Sequence, residues 1–102
     1  MNFSFHPSAE QELNEGVDYY NQAQDGLGLQ FTKEVYNSIQ NILSFPYGWT
    51  PLSENTRRCL VNRFPFGVIY QIEDDQIIII AVMQLNKKPE FWKDRIDRIK
   101  GQ

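Results

Sequence analysis

One cysteine, Cys59, and one histidine, His6, stand in a chain of 102 residues, and each scarcity excludes something. A lone cysteine closes no internal disulfide, and neither residue type occurs in the pairs at metal-ligand spacing that would suggest a metal site. Long apolar runs are also missing. The longest, residues 77–83, is far too short to span a bilayer. No charged-then-apolar signal segment opens the chain, so the expectation is a soluble cytoplasmic protein with no membrane partner. The sequence has no glycine-rich phosphate loop with its lysine and no nucleophile motif; no cofactor and no metal are expected. Aromatic residues, by contrast, are plentiful: seven Phe, five Tyr and two Trp, in a chain that is 41% hydrophobic. A chain of this size buries roughly two-thirds of the surface that its unfolded form exposes, enough for one core. The expectation is a single domain over residues 1–102.

The net charge of −3 argues against a protein that grips nucleic acid over its whole surface. The charge is uneven, however. Residues 1–50 carry six acids (Glu10, Glu12, Glu15, Asp18, Asp25, Glu34) against Lys33, a balance of −5; residues 51–102 carry nine bases against seven acids, a balance of +2. An anionic partner is expected to meet the second half.

Hydrophobic periodicity divides the chain into an α+β pattern. Phe3 and Phe5 share one face of a short first strand. Ser8, followed three residues later by Gln11, reads as a capping box that starts a helix at Ser8. Leu13, Val17 and Tyr20 recur at helical spacing toward a core, with Glu10, Glu12, Glu15 and Asp18 solvated. Asp25-Gly26-Leu27-Gly28 turns the chain. A second helix is predicted over 28–45 from Phe31, Val35, Ile39, Ile42 and Phe45, and so short a link makes the two an antiparallel hairpin. Pro46, Gly48 and Pro51 mark an irregular connection holding Trp49. The period then changes to that of strands, predicted over 57–64, 68–73 and 76–85, with reversals at Pro65-Phe66-Gly67 and Asp74-Asp75. Ile77, Ile79, Ala81 and Met83 fall on one face of the last strand and Ile78, Ile80 and Val82 on the other, which places it inside the sheet. Beyond Pro89, Trp92, Ile96 and Ile99 suggest a short amphipathic helix. The whole reads as an N-terminal strand, a helical hairpin packed on a mainly antiparallel sheet of about four strands, and a short C-terminal helix.

Few residues offer chemistry. His6 reads as a strand-end residue without the partner that a general base needs. Cys59 reads as a small buried hydrophobe, and Glu73, Asp74 and Asp75 as turn formers at a hairpin tip. There remain Arg57, Arg58 and Arg63 on one strand, Lys87 and Lys88 just past another, and Trp92 and Tyr70 near them. In an antiparallel sheet these cations meet near one edge. Guanidinium and ammonium groups position phosphates and aromatic rings stack on unpaired bases, so the set suits RNA or an acidic protein surface; it is equally the composition of a strand edge protected by charge.

Four stretches in this order, HPSAEQEL opening a helix, YY with GLGLQF across the helical turn, the sheet RRCLVNRFPFGVIYQIEDDQIIIIAVM and the closing NKKPEFWKDR, resemble the RelE/ParE toxin superfamily of bacterial toxin-antitoxin modules over nearly the whole chain. The resemblance implies a compact α+β toxin neutralised by a cognate antitoxin, whose binding residues on this chain it does not locate. RelE-like members cleave messenger RNA in the ribosome; ParE-like members poison DNA gyrase. In the RelE pattern an arginine precedes the apolar run that ends in Tyr-Gln, and here that position is Gly67. The terminal tyrosine of that pattern is matched only loosely, by Phe91 or Trp92. The leading expectation is therefore a ParE-like gyrase inhibitor that binds its target through Arg57, Arg58, Arg63, Lys87, Lys88 and Trp92. The alternatives are a ribosome-dependent endoribonuclease using Arg58, Arg63, Lys87, Lys88 and Trp92, and a non-toxic binding module.

Overall fold

The computed structural model describes residues 1–87 and 92–100, the last four of these by backbone alone. Strand β1 (Asn2–Phe5) enters helix α1 (Pro7–Ala23) through an N-cap at His6, whose Nδ1 accepts from the Ser8 amide at 3.1 Å. The expected capping box does not form. Pro7, with its preset φ and no N–H to satisfy, opens the helix, and Gln11 reaches along it to Glu15 at 3.3 Å instead. His6 is thus the cap rather than a plain strand end. Helix α2 (Leu27–Ser44) follows a turn in which Gly26 has a φ of 84°. Its stripe of Phe31, Val35, Ile39 and Ile42 is fully buried, but Phe45, expected to extend it, is 66% exposed. Phe45 is the C-cap, with φ −139° and ψ 68°, so its ring has left the helical stripe. The hairpin closes tightly at Gly16, where a Cβ would stand 2.6 Å from Cε2 of Phe31.

Strands β2 (Thr50–Pro51), β3 (Thr56–Leu60), β4 (Phe66–Glu73) and β5 (Gln76–Gln84) join β1 in a five-stranded sheet of order β1-β5-β4-β3-β2. The pairings are antiparallel except for β1, which runs parallel to β5. This is the expected α+β architecture with one more strand than the four expected; β2, two residues inside an irregular connection, is too short to show alternation. The strand predicted to reach residue 64 stops at Leu60. The chain reverses over residues 62–65 through Arg63 at φ 73°, and Phe66 and Gly67 already pair with Gln84 and Met83.

The faces of β5 also differ from strict alternation. The register slips by one between the pairs Ile69–Ala81 and Tyr70–Ile79, so Ile80 is an extra residue that reverses the alternation beyond it. Ile77, Ile79 and Val82 face the helices. Ile80, Ala81 and Met83 join Ile69 in a second cluster on the opposite face, closed by Trp92 and Ile96. Helix α3 (Lys93–Lys100) therefore covers the outer face of the sheet, as an amphipathic segment should; the side chain of Ile99 lies outside the described residues.

Past the end of β1 the edge of β5 is held by side chains. Glu12 Oε1 accepts from the Val82 amide at 3.1 Å, and Arg95 Nη1 donates to the Ile80 carbonyl at 2.8 Å. The two side chains also form a two-pronged ion pair, at 2.9 and 3.0 Å. Glu12 is accordingly not the solvated carboxylate that its helical position suggested. Among the described residues no helix is long and apolar enough to cross a membrane.

Candidate functional site

Alternation along β3 sends its adjacent arginines to opposite faces. Arg57 stands opposite Tyr70, whose side chain belongs to the cluster beneath the helices, and Arg58 stands opposite Ile69 of the outer cluster. Arg57 Nη1 donates to the carbonyls of Tyr47 and Trp49 at 2.9 and 2.7 Å, with its guanidinium 5.5 Å from the Tyr47 ring centroid. It fastens the connection after α2. Arg63 donates from Nη2 to Gln30 Oε1 at 2.8 Å, 5.8 Å from the Phe64 ring centroid. Neither reaches the other predicted cations.

Arg58, Lys87 and Trp92 do converge. With Leu52, Ile69, Met83 and Leu85 they line a pocket of about 80 Å³ on the outer face. Lys88 and Phe91 lie outside the described residues. Tyr70, placed near this set by its sequence position, is fully buried on the helix side and donates its hydroxyl to the Pro46 carbonyl at 2.5 Å. Burial raises its phenol to about 12, a rise only partly opposed by the nearby Arg57 charge. Cys59 is buried as expected, and burial also raises its thiol.

Arg58 is the unusual member of the group. Its Nε is out of contact with solvent and donates to nothing, and no other bond or ion pair to its guanidinium occurs among the described residues. An unmade bond at a buried donor costs about 1–3 kcal/mol, and more at a charged one. Gly67 explains how the side chain reaches its place. A Cβ at Gly67 would lie 3.1 Å from Cδ and 3.2 Å from Cγ of Arg58, so the Arg58 stem lies across the strand at the point where a larger side chain at 67 would stand. The arginine that the RelE pattern would place at 67 is absent, and the methylene stem of Arg58 fills that space from the neighbouring strand instead. Two more polar atoms on this face lack partners: Thr56 Oγ1 and Gln71 Oε1, on residues that stand opposite one another and are 0% and 1% exposed.

A larger cleft of about 280 Å³ lies between α1 and β5, lined by Glu12, Glu15, Tyr19 and Lys87 among others. Its Glu12 carboxylate is committed to Arg95 and Val82, so it offers less unspent chemistry than the small pocket. The apolar walls of that pocket and the Arg58–Gly67 contact escaped the sequence reading. Pairing Leu60 with Gly67 would have exposed the contact, but that pairing depends on where the reversal falls.

The comparisons with known proteins agree with this fold. Residues 3–86 match a family described as the ParE toxin of type II toxin-antitoxin system, parDE; the match takes in Arg58 and Gly67 and stops before Lys87 and Trp92. The chain is similar in structure to a chain of the chromosomal ParDE toxin-antitoxin system from P. aeruginosa, at TM-score 0.72 and 17% identity, over 82% of this chain and 95% of that one. It is also similar to the isolated E. coli RelE toxin, at TM-score 0.61 and 15% identity, over 95% and 96% of the two chains. No curated protein matches the sequence.

Proposed function

Because the chain belongs to the ParE toxin family of type II toxin-antitoxin systems, within the RelE/ParE superfamily, we propose that it arrests growth by binding DNA gyrase and performs no bond-breaking chemistry of its own. A toxin role and a cognate antitoxin partner come with the family. The choice of target is the further step, and the make-up of the Arg58 pocket carries it. Among the described residues its ionisable groups are the cations Arg58 and Lys87, set against aliphatic walls and the Trp92 indole. Cations stabilise negative charge, but cutting RNA at a 2′-hydroxyl also needs a group that takes a proton and one that returns it. Arginine stays protonated throughout the accessible pH range and an indole only donates, which leaves Lys87 as the one described group of the lining that could pass a proton, with no second to return it. Such a pocket suits recognition of a protein surface.

One observation favours the nuclease alternative. Arg58 reaches over Gly67, where the RelE pattern carries its own arginine, so phosphate stabilisation is not lost with the glycine. Induced expression of the chain separates the two. Under the gyrase reading, gyrase–DNA complexes accumulate, the DNA-damage response rises and message ends stay intact. Ribosome-dependent cuts in messenger RNA, lost in Arg58→Ala, would replace this reading with the nuclease. Sustained growth with the protein present and folded would reduce it to a binding module.

A further inference from the structure

We propose that the Arg58 pocket receives a single carboxylate side chain, an Asp or Glu flanked by aliphatic residues on a partner protein, and not a nucleic-acid phosphate. The inference rests on the toxin reading and names the chemistry that its site recognises. Arg58 has no partner among the described residues, and its Nε is shielded from water. Its stem is laid against Gly67, and with Nε closed to solvent the two terminal nitrogens are the donors left to a ligand. A carboxylate matches that fork of nitrogens with two oxygens at once and brings one negative charge.

The walls choose between anions. Leu52, Ile69, Met83 and Leu85 cover methylene groups well and supply no side-chain hydrogen-bond donors, so that among the described lining only Arg58, Lys87 and the Trp92 indole can meet the oxygens of an anion. A phosphodiester arrives with a sugar on each side and with oxygens that need water or donors, and burying those unmet is costly. The pocket, at about 80 Å³, is also well below the roughly 300 Å³ of the smallest ordinary small-molecule clefts; it admits one head group and no nucleoside. An Asp or Glu brings its own methylenes for the walls to cover. At the rim, Leu52 and Leu85 are 38% and 44% exposed, apolar surface suited to aliphatic neighbours of the incoming acid. Lys87 also lines the pocket.

The test uses the full chain, isotope-labelled, with the Arg58 Nε–H resonance as readout. The probes are acetyl-Leu-Glu-Leu-amide, acetyl-Leu-Gln-Leu-amide and the dinucleotide UpU. The glutamate peptide is expected to shift that resonance saturably, with the glutamine peptide about tenfold weaker or more, the difference made by a charge-assisted pair. UpU is expected not to displace it. Arg58→Lys, which keeps the charge and loses the fork, has no Nε–H and is followed through the Trp92 indole N–H resonance of the same pocket; it is expected to weaken the glutamate peptide by a similar factor while remaining cooperatively folded. Equal binding of the two peptides, no saturable shift, or displacement by UpU would overturn the proposal. The peptide comparison is made on the wild-type chain and so does not depend on any variant folding. Gyrase inhibition is measured separately. Inhibition without glutamate binding sinks the pocket and spares the gyrase reading, whereas glutamate binding without inhibition spares the pocket and sinks the target.

Discussion

Tyr70 joins the two halves of the molecule by one bond, its hydroxyl donating to Pro46 at 2.5 Å from a fully buried position on β4. Burial favours the neutral phenol and raises it from 10.0 to about 12. The folded form therefore holds its proton more tightly than the unfolded chain. The stability that this gives is fully present below pH 10 and is lost as the pH rises from there through about 12. Urea melts of the wild type are expected to weaken over that window. Tyr70→Phe should weaken less there and, at neutral pH, should be less stable by about 0.5–1.5 kcal/mol for the missing bond. Parallel pH profiles for the two proteins would show that Tyr70 does not titrate against the fold. Residue roles were unevenly legible. Burial of Cys59 and of the α2 stripe followed from spacing, because apolar periodicity reports a face directly. The parting of Arg57 from Arg58 also follows from alternation, but only the packing of Tyr47 and Trp49 shows which of the two is spent on structure.

Helix α3 is attached at the scale of elements by the Glu12–Arg95 pair, which links α1, the β5 edge and the C-terminal segment. With side chains 19% and 12% exposed, the pair is far more desolvated than the surface ion pairs that contribute about 0–1 kcal/mol. Glu12→Ala removes the acceptor for Val82 N and leaves Arg95 with only the Ile80 carbonyl of the bonds described above. It is expected to cost about 1–3 kcal/mol and, in a Trp49→Phe background that leaves Trp92 as the sole indole, to move the emission toward the red as α3 loosens. Unchanged emission and stability would mean that the Ile96 and Trp92 contacts hold the helix unaided. This clamp was hidden in the sequence because its partners lie 83 residues apart and Glu12 sits among solvated acids. The bulge at Ile80 was hidden for a different reason. A run of four isoleucines is apolar at every position, so it carries no alternation from which a slip could be read.

Across the whole molecule, the order of elements was legible: one strand, two amphipathic helices and a run of β-period segments admit few arrangements. The weakly basic balance of the second half was legible too, but the six predicted site residues form no single patch. Arg57 and Arg63 are bonded elsewhere, Arg58, Lys87 and Trp92 share a pocket, and Lys88 lies outside the described residues. The pocket is proposed to bind a protein target without catalysing a reaction. Inhibition of DNA supercoiling by purified gyrase, with wild type and Arg58→Lys compared in the same assay, tests it most directly. Inhibition by the wild type is expected, weakened about tenfold in Arg58→Lys by the loss of one charge-assisted contact, with both proteins cooperatively folded. Full supercoiling activity at saturating wild-type protein, or equal inhibition by the two proteins, would contradict it.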